Sequence, residues 1–308
     1  MRPILAGVTA LLVAACATPG ADVEVQPLVD AAWLNDNLDA VVVLDIRSGR
    51  AENQDPYASG HVPGAIHSGY GQDPWRVTRD GVPGMLPPVE DLEQLIGGLG
   101  ISNDDYVVIV PAGTSAGEFG TATRVYWEFK VLGHQRVSIL NGGYGTWEEA
   151  GYPIATEPVD LRPVTYTADY QPQLVASQED VIAALDDGTP LIDARSVNYY
   201  EGEAKSRAAA RYGTIHRAKN VPQDRLTVDN GGTFIDADVA VSFWDEAGVP
   251  TDGEQITFCN TGHLASLAWF AAYEVLGNKE AKLYDGSLAE WSADPDRPMD
   301  NTENPNRE

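Results

Sequence analysis

Short runs of consecutive apolar residues alternate along this chain with longer helical stretches. The runs VVVL at 41–44, VVIV at 107–110 and ITF at 256–258 are each bounded by polar or turn residues. Continuous apolar runs of this length are typical of strands that are buried on both faces. The alternation therefore predicts an α/β fold, in which a parallel sheet carries helices on both faces and ligands bind beyond the carboxyl ends of the strands.

The same order of features occurs twice. The Asp-x-Arg sequence that ends the apolar run at 45–47 returns 148 positions later at 193–195. A Gly-containing turn before Trp147 returns 144 positions later before Trp291. A repeat of this length is one domain long, so we predict two copies of one domain. The predicted organisation is a signal peptide (1–15), a tether (16–27), a first domain (28–155), a linker (156–172), a second domain (173–299) and a disordered tail (300–308).

The chain begins with an apolar segment at 4–15, which is too short to span a bilayer and suits the hydrophobic region of a signal peptide. The sequence Val13-Ala-Ala-Cys16 is similar to the box at which bacterial lipoproteins are cleaved and lipidated. We therefore expect a mature chain that begins at a lipidated Cys16, within the cell envelope, on the periplasmic face of the outer membrane. The alternative is an ordinary secretory signal cut near Ala15 or Ala17, which also places the protein outside the cytoplasm.

The protein is strongly acidic, with a net charge of −26 and a pI near 4.3. This charge argues against nucleic acid as a partner and against direct binding to an anionic membrane surface. We interpret the acidic residues as a solvating surface. Contact with a membrane is then expected only through the lipid anchor at Cys16.

The strongest chemical signal is Cys259, which follows the apolar run at 255–258 and precedes an apolar helix predicted from Ala265 to about Leu276. A cysteine at such a junction faces unpaired backbone N–H groups and the positive end of the helix dipole, and both favour the thiolate. If Cys16 is lipidated, Cys259 is the only free thiol, which is unusual for an exported protein. The pattern predicts a nucleophile for sulfur or acyl chemistry, and the alternative is a buried, inert thiol.

These features, in this order and duplicated, resemble the tandem-rhodanese sulfurtransferases, which include thiosulfate and 3-mercaptopyruvate sulfurtransferases. The resemblance covers about 28–298 and depends on the Asp-x-Arg strand ends, the Gly-x-Ile-x-x-Ala-x-Asn element, the Cys-x-x-Gly-x-x-Ala loop and the turn before each Trp. It implies two rhodanese-like domains, no cofactor, and a Cys259 persulfide that carries a sulfane sulfur from a small anionic donor to a thiophilic acceptor such as cyanide or a thiol. The backbone N–H groups of the remaining loop residues would point at the sulfur; these residues are Asn260, Thr261, Gly262, His263, Leu264 and Ala265.

The resemblance also implies roles outside this loop. Asp193 and Arg195 match a structural pair at a strand end, and Arg195 is also a candidate for contact with the substrate. Pro111 stands 148 positions before Cys259, so the first domain is expected to lack catalysis and to form one wall of the cleft.

One position departs from the pattern of the family. The arginine that usually binds the donor lies four positions after the match to Arg195, and Tyr199 stands there instead. The segment 205–219 contains five cationic residues and no Asp or Glu, and it could replace that charge. A solvated basic loop is the alternative interpretation. The candidates for binding the donor are Arg195, Tyr199, Lys205, Arg207, Arg211, Arg217, Lys219 and Arg225.

Two donors and a second function stay open. The Asn-Thr-Gly sequence after Cys259 is neutral, as in the mercaptopyruvate enzymes, but an exported protein meets inorganic sulfur species more readily, so we favour thiosulfate over 3-mercaptopyruvate. His263 could titrate near neutral pH and change this preference. A non-enzymatic sulfane-sulfur carrier, or a binding module on the same fold, is the alternative function.

Two other chemistries are disfavoured. A cysteine-dependent phosphatase needs an arginine six positions after its cysteine, and Ala265 stands there. No metal site is predicted, because the chain has no Cys-x-x-Cys motif and its five histidines show no ligand spacing. These histidines are His61, His67, His134, His216 and His263.

Overall fold

The computed structural model describes residues 23–49 and 55–301. The predicted signal peptide, Cys16 and the tether up to residue 22 lie outside the described residues, as do residues 302–308 of the predicted tail. Lipidation and location in the envelope therefore remain predictions. In the two described ranges, no helix is both long enough and apolar enough to cross a membrane.

The first domain is a parallel sheet flanked by helices, which confirms the predicted fold class. Five of its strands form this sheet, and two more form a separate antiparallel hairpin. Its strands are β1 (Leu28–Val29), β2 (Val42–Asp45), β3 (Ile66–His67), β4 (Val77–Arg79), β5 (Val82–Met85), β6 (Val107–Val110) and β7 (Val137–Leu140). Its helices are α1 (Ala31–Asn37), α2 (Pro56–Ser59), α3 (Val89–Gly98), α4 (Ala116–Val131) and α5 (Gly143–Glu149), with a 3₁₀ turn at Leu38–Ala40. The strand order in the sheet is β1-β7-β6-β2-β3, and β4 pairs with β5.

Both faces of this sheet are buried, as continuous apolar runs require. Along β6, Val107 and Ile109 belong to one core cluster, which also contains residues of α3 and α4. Val108 and Val110 belong to another, which contains residues of α1 and α5. Successive side chains of a strand point to opposite faces, so an apolar run stabilises a sheet only when helices cover both.

The second domain repeats this architecture. Its strands are β8 (Val175–Ala176), β9 (Leu191–Asp193), β10 (Thr214–Ile215), β11 (Lys219–Asn220), β12 (Thr227–Val228), β13 (Thr233–Phe234), β14 (Gln255–Phe258), β15 (Ala281–Tyr284) and β16 (Met299–Asp300). Its helices are α6 (Gln178–Asp187), α7 (Val197–Tyr200), α8 (Ala237–Ala247), α9 (Ala265–Phe270) and α10 (Ser287–Trp291), with 3₁₀ turns at Pro172–Leu174, Gln223–Arg225 and Asp229–Gly231. The parallel sheet has the order β11-β9-β14-β15-β8. Read from β8 to β11, this order matches the order of the first sheet from β1 to β3, strand for strand.

Two details differ from the sequence-based expectation. The helix predicted to run from Ala265 to about Leu276 is α-helical only to Phe270 and continues as a π-helical segment, Ala271–Val275. Asp300 was assigned to a disordered tail, but it pairs with Thr214 in the β10–β16 ladder. A two-residue strand has too short a pattern to be recognised from sequence.

The two domains share one hydrophobic core, because α4 of the first packs against α9 of the second. The rings of Tyr126 and Phe270 meet edge to face with centroids 5.0 Å apart. The hydroxyls of Thr123 and Ser266 form a buried hydrogen bond of 2.7 Å between the same helices. This packing brings the amino end of α9, and the loop before it, against the first domain.

Candidate active site

Cys259 lies at the carboxyl edge of the second sheet. It follows β14, whose last residue Phe258 pairs with Asp193 of β9, and the loop from Cys259 leads into α9. Its side chain is buried, with 2% of the residue exposed. The thiol therefore lies at the edge where parallel sheets bind their ligands.

A serine that the sequence analysis missed organises the Cys259 loop. Ser287 Oγ accepts the N–H groups of Cys259 at 3.1 Å and of Gly262 at 3.0 Å, and it donates to the carbonyl of Tyr284 at 2.9 Å. Ser287 has a φ of +48°, which is unfavourable for a residue with a β-carbon. Gly143 stands 144 positions earlier and has a φ of +62°. The hydroxyl gives a physical reason for a serine at a position where the first domain uses glycine.

The expectation that all the loop N–H groups point at the sulfur is wrong for Gly262, because its N–H donates to Ser287 Oγ. Gly262 has a φ of +71°. A β-carbon there would lie 2.6 Å from Asp285 Oδ1 and 2.8 Å from Arg124 Nη1. Both its conformation and its close contacts therefore explain why glycine stands at this position.

A buried ion network of both domains lies under the loop. Arg124 of α4 donates to Asp285 Oδ1 at 2.5 Å, to Glu128 Oε1 at 2.7 Å and to the carbonyl of Gly262 at 3.4 Å. Asp285 Oδ2 accepts the backbone N–H of Leu86 at 2.5 Å. Burial raises the pKa of Glu128 to about 7, although the charge of Arg124 opposes this shift. The second domain's loop is therefore held partly by side chains of the first.

Two equivalent hydrogen bonds connect the domains, and only one of them involves a charged group. Leu86 of the first domain donates its backbone N–H to the Asp285 carboxylate of the second. Phe234 of the second domain donates its backbone N–H to Asn141 Oδ1 of the first at 2.8 Å. Asn141 stands 144 positions before Asp285, so each domain's hairpin region contacts the other domain's turn. The neutral amide in the first domain needs no buried arginine, whereas Asp285 is paired with Arg124.

His263 contacts the first domain through both ring nitrogens. Its Nε2 lies 3.3 Å from the carbonyl of Gly117, which can only accept, so Nε2 carries the proton. Its Nδ1 then accepts the hydroxyl of Tyr70 at 2.8 Å. Burial, and secondarily the charges of Arg76 and Arg124, lower the pKa of His263 to about 3. The expectation that His263 titrates near neutral pH is therefore wrong.

We predict that His263 stays neutral from pH 5 to 8. A protonated ring would lose the bond that Nδ1 accepts from Tyr70 and would face two arginines. Long-range ¹H–¹⁵N NMR of histidine-labelled protein should show one Nε2–H tautomer whose shifts do not change across this range. A His263→Gln variant assigns the resonance, and a midpoint between pH 5 and 8 would contradict the prediction.

Arg76, which immediately precedes β4, contacts the loop directly. Its Nη2 donates to the carbonyl of Thr261 at 2.7 Å and to the Thr261 hydroxyl at 2.9 Å. Its Nε donates across the hairpin to the carbonyl of Gly84 at 3.0 Å. The sequence analysis missed Arg76, Tyr70 and Arg124, because nothing in their local pattern indicates contact with a loop more than 130 positions away.

The other residues of the Cys259 loop are held by backbone hydrogen bonds or are packed in the interior. The carbonyls of Cys259 and Asn260 accept the N–H groups of Leu288 at 3.2 Å and Ala289 at 2.9 Å. Asn260 Oδ1 is buried and has no hydrogen-bond partner among the described residues. Leu264 packs against the shared core, and the buried Ala265 begins α9.

The structural pair at the strand end is built as the resemblance implies. Arg195 Nε donates to both carboxylate oxygens of Asp193, at 2.9 and 3.0 Å, and its Nη2 donates to the carbonyl of Gly213 at 2.8 Å. Both side chains are buried. Asp45 and Arg47 repeat this pair in the first domain. Arg195 is thus engaged within the protein rather than directed at a ligand.

The cationic residues of the segment 205–219 do not lie together around Cys259. Arg217 and Lys219 line a surface pocket with Pro190, Leu191 and Pro250, at the amino ends of β9 and β14. Cys259 follows the carboxyl end of β14, so these two residues are wrongly placed for the predicted role. Lys219 is the first residue of β11, which pairs in parallel with β9, and this pairing sets its position at that edge.

The remaining candidates are mostly engaged elsewhere. Lys205 donates to the carbonyls of Ala209 and Ala210, and Arg225 forms an ion pair with Glu246 at 2.7 Å. Arg211 donates to carbonyls of the segment 292–297. Arg207 is exposed, and Tyr199 is half-buried in α7, just beyond β9.

The loop of the first domain that is equivalent to the Cys259 loop begins at Pro111. The carbonyl of Pro111 accepts the N–H of Tyr144 at 2.8 Å, as the carbonyl of Cys259 accepts that of Leu288. The two positions are therefore structurally equivalent. The first domain has a proline there, whose side chain carries no nucleophilic group.

Comparisons with known proteins agree with this architecture. A protein of Haloferax volcanii named "Putative thiosulfate sulfurtransferase" is 34% identical over 274 residues, which are 86% of this chain and 92% of that protein. The sulfur carrier protein TtuD of Thermus thermophilus is 31% identical over 86% of this chain and 93% of its own length.

A solved structure shows the same fold at lower identity. The anaerobic ergothioneine biosynthesis enzyme from Chlorobium limicola, in complex with trimethyl histidine, superposes with a TM-score of 0.76 at 24% identity. The likeness covers 89% of this chain and 70% of that one. The rhodanese-like domain family itself matches two segments, 30–150 and 177–294. Since both segments coincide with the two sheets, the chain belongs to the rhodanese-like family and carries its domain twice.

Proposed function

We propose that this protein is a sulfurtransferase that moves a sulfane sulfur from a small anionic donor to a thiophilic acceptor through a persulfide on Cys259. The observation that carries the proposal is the position of this thiol. It lies at the carboxyl end of β14, in a loop held in place by Ser287 and just before α9. A thiol at the edge where parallel sheets bind their ligands is placed to attack a bound donor.

The proposed chemistry consists of two displacements at sulfur. The Cys259 thiolate attacks the sulfane sulfur of thiosulfate; a new S–S bond forms while the donor's S–S bond breaks, and sulfite leaves with the electron pair. Cyanide or a thiolate then attacks the outer sulfur of the persulfide, and the Cys259 thiolate leaves with the electron pair. The cycle restores the starting enzyme without a cofactor.

The names of the relatives support this activity. The Haloferax protein is named "Putative thiosulfate sulfurtransferase", and this chain covers 92% of it. We favour thiosulfate as the donor, because an exported protein meets inorganic sulfur species more readily than a keto acid. We keep 3-mercaptopyruvate as the second choice, because the loop residues after Cys259 include no side chain that is cationic near neutral pH, as in the mercaptopyruvate enzymes.

A second candidate is a sulfur carrier that loads one sulfur and releases it only to a dedicated partner. It is favoured by the similarity to the sulfur carrier protein of Thermus thermophilus and by Tyr199, where the family's donor-binding arginine would stand. The carrier and the enzyme differ in turnover, since a carrier stops after one sulfur per Cys259.

The test is steady-state formation of thiocyanate by the purified full-length chain, with thiosulfate and 3-mercaptopyruvate compared side by side and cyanide as acceptor. We expect turnover with thiosulfate, and intact mass should show the gain of one sulfur atom when cyanide is omitted. Loading without turnover would favour the carrier. Neither loading nor turnover with either donor would contradict both candidates.

A further inference from the structure

The Cys259 loop lacks positive charge of its own. Residues 259–265 contain no lysine or arginine, and the low pKa of His263 keeps that side chain neutral. The protein as a whole carries a charge of −26, which repels small anions. A cation from another part of the fold would therefore favour the binding of an anionic donor at this loop.

Arg124 does not meet this requirement. Its side chain is fully buried, and it is paired with the carboxylates of Asp285 and Glu128. Two acidic partners offset its charge, and a fully buried guanidinium offers no surface to a ligand. Its contacts assign it to holding the loop in place.

Arg76 has the properties that Arg124 lacks. It is half-buried, and its hydrogen bonds go to uncharged acceptors, which are the carbonyl and hydroxyl of Thr261 and the carbonyl of Gly84. Its guanidinium is within ion-pair distance of no carboxylate among residues 23–49 and 55–301. The contact with Thr261 places this guanidinium beside a residue that is two positions from Cys259 along the loop.

We propose that Arg76, contributed by the first domain, binds the anionic sulfur donor at the Cys259 loop and takes the place of the cation missing at Tyr199. The ligand class is a small sulfur oxyanion, with dianionic thiosulfate preferred to monoanions. This inference rests on the proposed sulfurtransferase function. It makes the first domain part of the substrate site, although that domain has no nucleophile at Pro111.

The kinetic test compares Arg76→Gln, which removes the charge but keeps an N–H donor for Thr261, with Arg76→Lys, which keeps the charge. A hydrogen bond to a charged group contributes about 1.5–3 kcal/mol, so kcat/KM for thiosulfate should fall about 10- to 100-fold in Arg76→Gln, mainly through KM. We expect a smaller fall in kcat/KM for thiosulfate in Arg76→Lys. In Arg76→Gln, kcat/KM for a monoanionic thiosulfonate donor should also fall less than kcat/KM for thiosulfate. Arg79→Gln is the matched control, since exposed Arg79 lies in the same hairpin and its loss changes the net charge equally.

A second readout does not depend on turnover. Sulfate, an unreactive dianion, should protect Cys259 of the wild-type protein from alkylation by neutral iodoacetamide. We expect the half-protecting sulfate concentration to rise at least about 10-fold in Arg76→Gln and to stay unchanged in Arg79→Gln. Protection that depends on Arg76 in a protein without turnover would support this site and contradict the sulfurtransferase function.

Three outcomes would overturn the inference while leaving the sulfurtransferase function intact. One is normal thiosulfate kinetics in Arg76→Gln. Another is an equal loss with dianionic and monoanionic donors through kcat alone, with sulfate protection unchanged, because that pattern describes a residue that only positions the loop. The third is a wild-type enzyme that turns over but gains no protection from sulfate.

Discussion

Replacing Cys259 with serine is expected to abolish thiocyanate formation and persulfide loading while the protein stays folded. A serine hydroxyl without an adjacent base is a poor nucleophile, and Pro111 at the equivalent position of the first domain offers no substitute. Turnover should fall by at least about 1000-fold. Because serine is close to cysteine in size, we expect the free energy of unfolding to change by about 1 kcal/mol. Thiocyanate assays, intact mass after incubation with thiosulfate, and denaturant unfolding measure the three quantities.

The matched control is Cys16→Ser, which removes the only other cysteine of the chain. It should retain the turnover and persulfide loading of the wild-type protein. Persulfide on the Cys259→Ser protein, or turnover above the uncatalysed rate, would place the chemistry on another residue and contradict the proposed mechanism.

Replacing Arg124 with methionine is expected to cause the largest loss of stability among single substitutions at this site. The change leaves the carboxylates of Asp285 and Glu128 buried without their cation, and breaking a buried ion pair in this way costs about 3–5 kcal/mol. The pKa of Glu128 is already raised to about 7 by burial, so without Arg124 we expect this carboxyl to be protonated. Denaturant unfolding at pH 7 measures the effect.

Activity should fall with stability in this variant, because Arg124 also donates to the carbonyl of Gly262 in the Cys259 loop. Arg162→Met is the control. Because Arg162 is exposed, this substitution should lower the free energy of unfolding by less than about 0.5 kcal/mol. Adding Asp285→Asn to Arg124→Met should recover part of the loss, because it removes one of the uncompensated charges. A single variant as stable as the wild-type protein would show that the network does not hold the domains together.

The strand pattern and the repeat were sufficient to predict the fold class and two copies of one domain, and the resemblance of the motifs implied that these domains are rhodanese-like. Continuous apolar runs are a local signal, and burial on both faces follows from them directly. The position of Cys259 is also local, because a residue between a strand and a helix lies at the sheet edge in any packing of the two. The side chains that exclude a β-carbon at Gly262 were not visible in any local pattern.

Local patterns did not predict the role of a side chain whose surroundings are formed by residues of a distant segment. Arg217 and Lys219 were grouped with the site because they are cationic and lie near Tyr199 in sequence, but the parallel pairing of β11 with β9 puts them at the opposite edge. His263 was expected to titrate near neutrality because its free side chain would. Its surroundings come from Tyr70, Gly117 and the arginines of the first domain.

The amino-acid sequence by itself determined the two α/β domains, the position of Cys259 at a sheet edge of the second and the presence of Pro111 at the equivalent position of the first, because these depend on residue types and periodicity within short segments. The tertiary structure alone decided which charges surround the Cys259 loop. Arg76 and Thr261 are 185 positions apart, and Arg124 and Asp285 are 161 positions apart. They meet only because the packing of α4 against α9 joins the domains, and packing of this kind depends on the shapes of whole surfaces rather than on any local pattern.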